Sequence, residues 1–146
     1  MGSKTDYLEN KLIDFRFRGQ PYTPPSTIYI GLFTTAPTDT GGGVEVSGGA
    51  YSRVAVPATL AEWAGTQGLG TTTISTGTSG TTSNNSPITF PVPTANWGII
   101  VAMGIFEAAT GNSLTDYAAL TTPKTINNGD PAPIFPPSSL TIQEDN

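Results

Sequence analysis

The stretch GTTTISTGTSGTTSNNSP, residues 70 to 87, constrains the fold more than any other part of this chain. It holds one aliphatic side chain, no charge and a terminal proline. Fixing a residue's backbone costs roughly 1–2 kcal/mol, so ordering this run costs on the order of 18–36 kcal/mol. Thr, Ser and Gly bury too little apolar surface to offset that in a local core. The run must either pair its backbone with a sheet of its own chain or lie against something else.

The rest of the composition points to sheets. The chain has 17 glycines and 13 prolines among 146 residues and only 12% charged residues, a profile of turns and short strands rather than long helices. That length suits one domain around one core. Four of the six basic residues, Lys4, Lys11, Arg16 and Arg18, lie in the first 18 positions, and the net charge is −5. The remainder offers no row of cations for a nucleic-acid backbone, so no nucleic-acid partner is expected. The simplest reading of the N-terminal cations is a solvated helix face.

The chain contains no cysteine and no histidine. There is no disulfide framework, thiolate nucleophile or zinc-thiolate site, and the commonest general base and metal ligand are missing. The opening MGSKTDYLENKLIDF lacks the apolar centre of a secretory signal, and no run approaches 18 apolar residues. A soluble protein made in a cytoplasm, without a membrane partner, is expected.

Along the chain, Ser3 is placed as an N-cap ahead of a helix whose Leu8, Leu12 and Phe15 recur at i, i+4 and i+7. Arg16 and Arg18 favour its negative end and Gly19 supplies the stop. PYTPPS enforces an extended linker. In TIYIGLFT, Ile28, Ile30 and Leu32 point one way and Tyr29, Gly31 and Phe33 the other, a strand covered on both faces. APTDTGGGVEVSGGA reads as a Gly-rich loop with a short strand at Val44 to Val46. AYSRVAVPA is a second strong strand, and TLAEWAG is either one helical turn or a strand end, with Trp63 as a core anchor or a partner-pocket residue. WGIIVAMGIFEA is the central strand, ATGNS a hairpin turn, SLTDYAAL its return, INNGDPAP an Asn-Gly turn and SLTIQ the last strand. The fold class is mainly β: a single β-sandwich or jelly-roll-like domain with an N-terminal α-helix and extended Pro/Gly/Thr-rich arms. Residues 1–25 form a helix and linker arm, and 26–146 the sandwich with a long loop at 66–87.

Little in this chain meets the needs of catalysis. It has no phosphate loop, nucleophile elbow or HExxH. The glycines at 41 to 43 lack a following Lys and helix start, and read as a flexible turn. Glu45, Glu62, Glu107, Asp116 and Asp130 could supply a carboxylate pair only if the fold brings two within about 5–9.5 Å. Asp130 beside Asn-Gly is most simply a turn residue. Asn127, Asn128 and Asp130 lack the spacing of a calcium loop. The aromatics Tyr7, Tyr22, Tyr29, Tyr51, Trp63, Trp97 and Tyr117 could form a sugar platform, but core and interface packing explains them more simply. No enzyme, metal or cofactor is expected.

The segments KTDYLENKLIDFRFRGQPYTPPSTIYIGLFTTAPT, GGVEVSGGAYSRVAV, WAGTQGLGTTT, NNSPITFPVPTANWGII, GIFEAATGN and ALTTPKTINNGDPAPIF span nearly the whole chain. In that order they resemble a family of small bacteriophage and prophage virion proteins labelled tail-fibre-like. The doubled proline at 136 and 137 departs from the small residues and Gly expected before the last strand. The resemblance supplies no catalytic residue. It implies a non-enzymatic virion protein, made in the bacterial host cytoplasm, and two roles compete.

A fibre shaft would show heptads, collagen-like triplets or β-helix repeats, and none are present. The first expectation is therefore a capsid decoration (cement) protein, with the helix, the Pro linker and the Thr-rich run as arms over the major capsid protein or other virion subunits. The alternative is a tail-fibre or tail-tip receptor-binding subunit that meets a host surface glycan. A homotrimer is expected by analogy. The candidate interface comprises Leu8, Leu12, Phe15, Arg16, Arg18, Trp63, Thr72, Ile74 and Thr76.

Overall fold

A computed structural model describes residues 3–144. In chain order it contains β1 (Ser3–Lys4), α1 (Asp6–Phe17), β2 (Thr27–Thr35), β3 (Val44–Glu45), β4 (Val54–Pro57), β5 (Thr81–Ser83), β6 (Ile88–Thr89), β7 (Gly98–Phe106), β8 (Leu114–Ile126), β9 (Ile134–Phe135) and β10 (Thr141–Gln143). The fold is mainly β with one short helix, as its composition suggests.

The two long apolar strands form the centre. β2 pairs antiparallel with β7, Leu32 opposite Met103 and Gly31 opposite Gly104, and β7 pairs with β8 through the ATGNS hairpin. The sheet order is β1-β8-β7-β2-β3, with β4 on the N-terminal half of the β2 edge that β3 occupies further along. β1 joins the opposite edge, Ser3 facing Tyr117, so the chain is tied into the sheet at Ser3 and Lys4 before the helix begins.

The alternation in TIYIGLFT covers both faces as expected. Ile30 and Leu32 enter the larger core with Val56, Met103 and Ile105 from neighbouring strands. The small ribbons β5–β10 and β6–β9 close over that face with Ile88, Phe90 and Leu140, giving a sandwich-like second layer. On the other face Phe33, Ala102, Phe106 and Leu114 form a smaller cluster.

Several local expectations are corrected. The helix starts at Asp6 with Thr5 at its cap position, because Ser3 is claimed by β1. Thr5 is buried, and its hydroxyl donates to the Leu114 carbonyl at 2.6 Å instead of capping the helix. The strand read in AYSRVAVPA shortens to β4, and TLAEWAG resolves into a turn in which the Trp63 N–H donates to the Thr59 carbonyl at 3.1 Å. β8 runs further than SLTDYAAL and passes through Pro123. A register shift sets residues 120 to 123 opposite Val101, and β1 covers only the other end of β8, so Pro123 breaks no ladder that needs its missing N–H.

The run 70–87 is held within its own chain. β5 pairs with β10, and the preceding loop is cross-linked by side chains. The Gly65 N–H donates to Thr71 Oγ1 at 2.9 Å, Gln67 Nε2 to Thr73 Oγ1 at 2.9 Å, and Ser79 Oγ to the Thr66 carbonyl at 2.8 Å. At its end, Asn84 is fully buried. Its amide donates to the Ser86 and Pro136 carbonyls and its oxygen accepts from the Leu140 N–H. The hydroxyls that gave the run so little to bury are the groups that order it, and no neighbouring subunit is needed for that.

Candidate functional site

Helix α1 lies across the end of the sheet where β7 becomes the hairpin. Leu8 is buried there and Leu12 half-buried. A polar lock fixes the orientation. Lys11 Nζ and the Tyr7 hydroxyl each donate to Glu107 Oε2 at 2.7 Å, and the Tyr22 hydroxyl donates to Oε1 at 2.6 Å. Burial pushes the Glu107 carboxyl up, but the bonds from Lys11, Tyr22 and Tyr7 outweigh it and hold it below the usual carboxylate range. Tyr22 is pushed up to about 12, first by burial and then by its bond to that carboxylate. Lys11 is shifted down by burial, yet its bonds to Glu107 and Tyr7 raise it on balance.

Beside this lock a groove of about 650 Å³ opens between the main sheet and the β5–β10 ribbon. Ile28, Ile105 and Ile142 are among its apolar lining, together with Leu8, Leu60 and Trp63. Glu107, Asp116 and Glu144 bring three carboxylates to it. Glu107 pairs with Lys11 and Glu144 with Lys4 at 2.7 Å, and among the described residues Asp116 has no ion-pair partner. Burial is the main cause of the raised Asp116 carboxyl. The Trp63 indole N–H is buried and finds no acceptor among the described residues.

The second concavity, about 430 Å³, lies on the other sheet face against Gly41, Gly42, Gly43 and Arg53. Its cation is already spent. Arg53 makes a two-pronged bond to Glu45 at 2.8 Å, donates to the Ala108 and Gly111 carbonyls at 2.9 Å, and stacks over Phe106 at 3.3 Å. The three glycines form a tight turn, with Thr38 and Gly41 bonded to each other. Asp130 likewise serves its turn, accepting from the Asn127 N–H at 2.7 Å. Among the described residues no group of three or more His, Cys, Asp or Glu is placed to hold a metal ion, and no helix is long and apolar enough to cross a membrane.

The structure brings some of the sequence-derived candidates together. Leu8 and Trp63 line the groove, and Phe15 sits edge-on to Tyr22 at 6.4 Å. Phe15 itself is half exposed, so the helix stripe is only partly used. Arg16 and Arg18 project at the helix end, Arg18 paired with Asp14 at 2.6 Å. Thr72, Ile74 and Thr76 are exposed in the loop, Ile74 at 75%. The lock residues Tyr7, Lys11, Tyr22 and Glu107 were not singled out as a set. Tyr7 and Lys11 at i, i+4 carried a local signal, but Glu107 lies 96 residues beyond Lys11 and nothing periodic links them.

A mainly β chain whose polar clusters are tied up in holding elements together, with a helix laid on its flank, fits the structural proteins of the bacteriophage virion that its segments resemble. Within that class, the family model described as Podophage GP4 fiber I protein gp80 matches residues 3–143, and the chain belongs to that family. No curated protein matches it.

Proposed function

We propose that this chain is a non-enzymatic subunit of a phage tail fibre. The observation that carries the reading is the match of residues 3–143 to a family described as a fibre protein. Physical features support it. The carboxylates with the best-defined partners, Glu45 and Glu107, serve Arg53 and the helix lock rather than facing each other across a reaction centre. The expectation of capsid decoration rested on the absence of shaft repeats and took residues 70–87 as an arm over other subunits; their internal bonding leaves that run no need of a neighbour to be ordered. In this reading residues 1–25 are the attachment segment, 26–146 the β body, and the partners are two further copies in a homotrimer, with other tail subunits. A host surface glycan is the target at the exposed end.

The test is location and adsorption. Labelled antibodies are expected on tails of intact particles, and tailless heads purified from the same lysate should lack the protein. Excess purified protein or antibody should slow adsorption to the host. Many copies on tailless heads would overturn the fibre reading in favour of decoration.

A further inference from the structure

The groove beside Trp63 is lined by side chains that continue the main core, Ile28, Ile105 and Ile142, yet it opens to solvent. It combines two features seldom left uncovered: an apolar lining and a desolvated carboxylate, Asp116, without an ion-pair partner among the described residues. A fitting occupant brings a large apolar side chain and a cation.

One segment of this chain offers both. Phe17 at the end of α1 is 75% exposed, and an aromatic of its kind carries about 150–250 Å² to bury. Ile13, one turn earlier, is half exposed. Arg16 projects next to Phe17, its guanidinium 5.6 Å from that ring. Leu69 and Ile74, the aliphatics about as exposed as Phe17, lie in an uncharged loop and bring no cation. Phe17 does not occupy the groove of its own chain, since it stands in solvent.

We propose that the groove beside Trp63 receives the C-terminal end of α1 from a second copy of this chain, Phe17 packing on the apolar lining and Arg16 meeting Asp116. The contact joins two different surfaces, so it is heterologous and propagates head to tail until a ring closes. It does not depend on where in the virion the protein sits.

Sedimentation velocity on the full chain tests this. The wild type is expected to self-associate at micromolar concentration. Phe17→Ala and Leu60→Arg alter an exposed plug and an exposed groove residue, so far-UV circular dichroism should not change, while each weakens association by roughly tenfold or more. Mixing the two variants should restore a single contact and give heterodimers but no larger species, since one retains the groove and the other the plug. Because the chain has no cysteine, Phe17→Cys combined with Leu60→Cys should give a covalent ladder of oligomers on oxidation. A monomeric wild type, a Phe17→Ala variant that assembles normally, or a doubly substituted chain that forms no intermolecular bond would each overturn the proposal.

Discussion

Gly31 and Gly104 face each other across β2 and β7, and the space above them is already filled. A Cβ on Gly31 would stand 2.8 Å from a Phe106 ring carbon, and one on Gly104 would stand 2.6 Å from a Leu114 methyl and 2.7 Å from the Phe33 ring. The missing side chains let Phe33 and Phe106 stack at 6.0 Å and let Arg53 lie on the outer ring. Gly104→Ala should therefore overpack this face and cost about 1–3 kcal/mol. At some 2–4 °C per kcal/mol for a chain of this size, calorimetry should show a clear fall in Tm. Arg53 is a sharper case, because its side chain is only 7% exposed and all its bonds depend on a planar fork. Arg53→Lys keeps the charge but cannot reach Glu45 and both hairpin carbonyls together, so a loss of about 2 kcal/mol is expected in denaturant titration. Alternation in the sequence places Gly31 on the same face as Phe33, but the close approach of Arg53 and Glu45 is set by tertiary packing that alternation cannot reach.

Among the elements, strands with a strong apolar rhythm were legible, and so was the helix. β2, β7, the start of β8 and the last strand β10 follow from apolar pattern and the turn signals, whereas β1, β5 and β9 are two or three residues long and exist because something is there to pair with. The loop before β5 was opaque for a related reason: hydroxyl-to-carbonyl bonds such as Ser79 to Thr66 have no period. Gln67 gathers that loop by donating to Thr73 Oγ1 and to the Ile74 carbonyl at 3.1 Å. Gln67→Ala should accordingly speed hydrogen exchange across residues 71 to 79 while leaving exchange in β2 and β7 unchanged. The α1 lock obeys the same logic with charge added. Glu107 is held low, so its stabilisation is complete above the ordinary carboxylate range near about 4.3 and is lost as pH falls through its lower folded value. Asp116 is held high and has the opposite sign, since its protonation on acidification favours the folded state. Acid should therefore loosen α1 before it unfolds the sheet, seen as exchange in residues 6 to 17 rising first. Glu107→Gln should reproduce that loosening at neutral pH, at a cost of roughly 1–3 kcal/mol for the charge-assisted bonds lost.

Across the whole molecule, charge is sorted along the chain. Four of six cations lie in the first 18 residues, while the net charge is −5. Lys4 and Lys11 are occupied by Glu144 and Glu107 of their own chain, so Arg16 and Arg18 are the cations left near the helix end, and Arg18 is shared with Asp14. Two copies repel at long range through their net charge but attract where Arg16 meets an acid-lined groove. Salt acts on these terms in opposite directions. At about 0.1 M the Debye length is about 10 Å, so added salt relieves the long-range repulsion while a pair enclosed in the groove is screened less. The apolar plug is insensitive to screening altogether. Wild-type association should therefore change by less than about tenfold between low salt and roughly 0.5 M, unlike a contact held by charge alone, which would weaken steeply. Arg16→Glu turns the local attraction into repulsion against Asp116. Its deficit relative to wild type should be greatest at low salt and shrink as salt rises, and sedimentation across a salt series reads both trends from the same samples. A deficit independent of salt would place Arg16 away from the acidic groove, and the helix end would then have to find its partner elsewhere on the molecule.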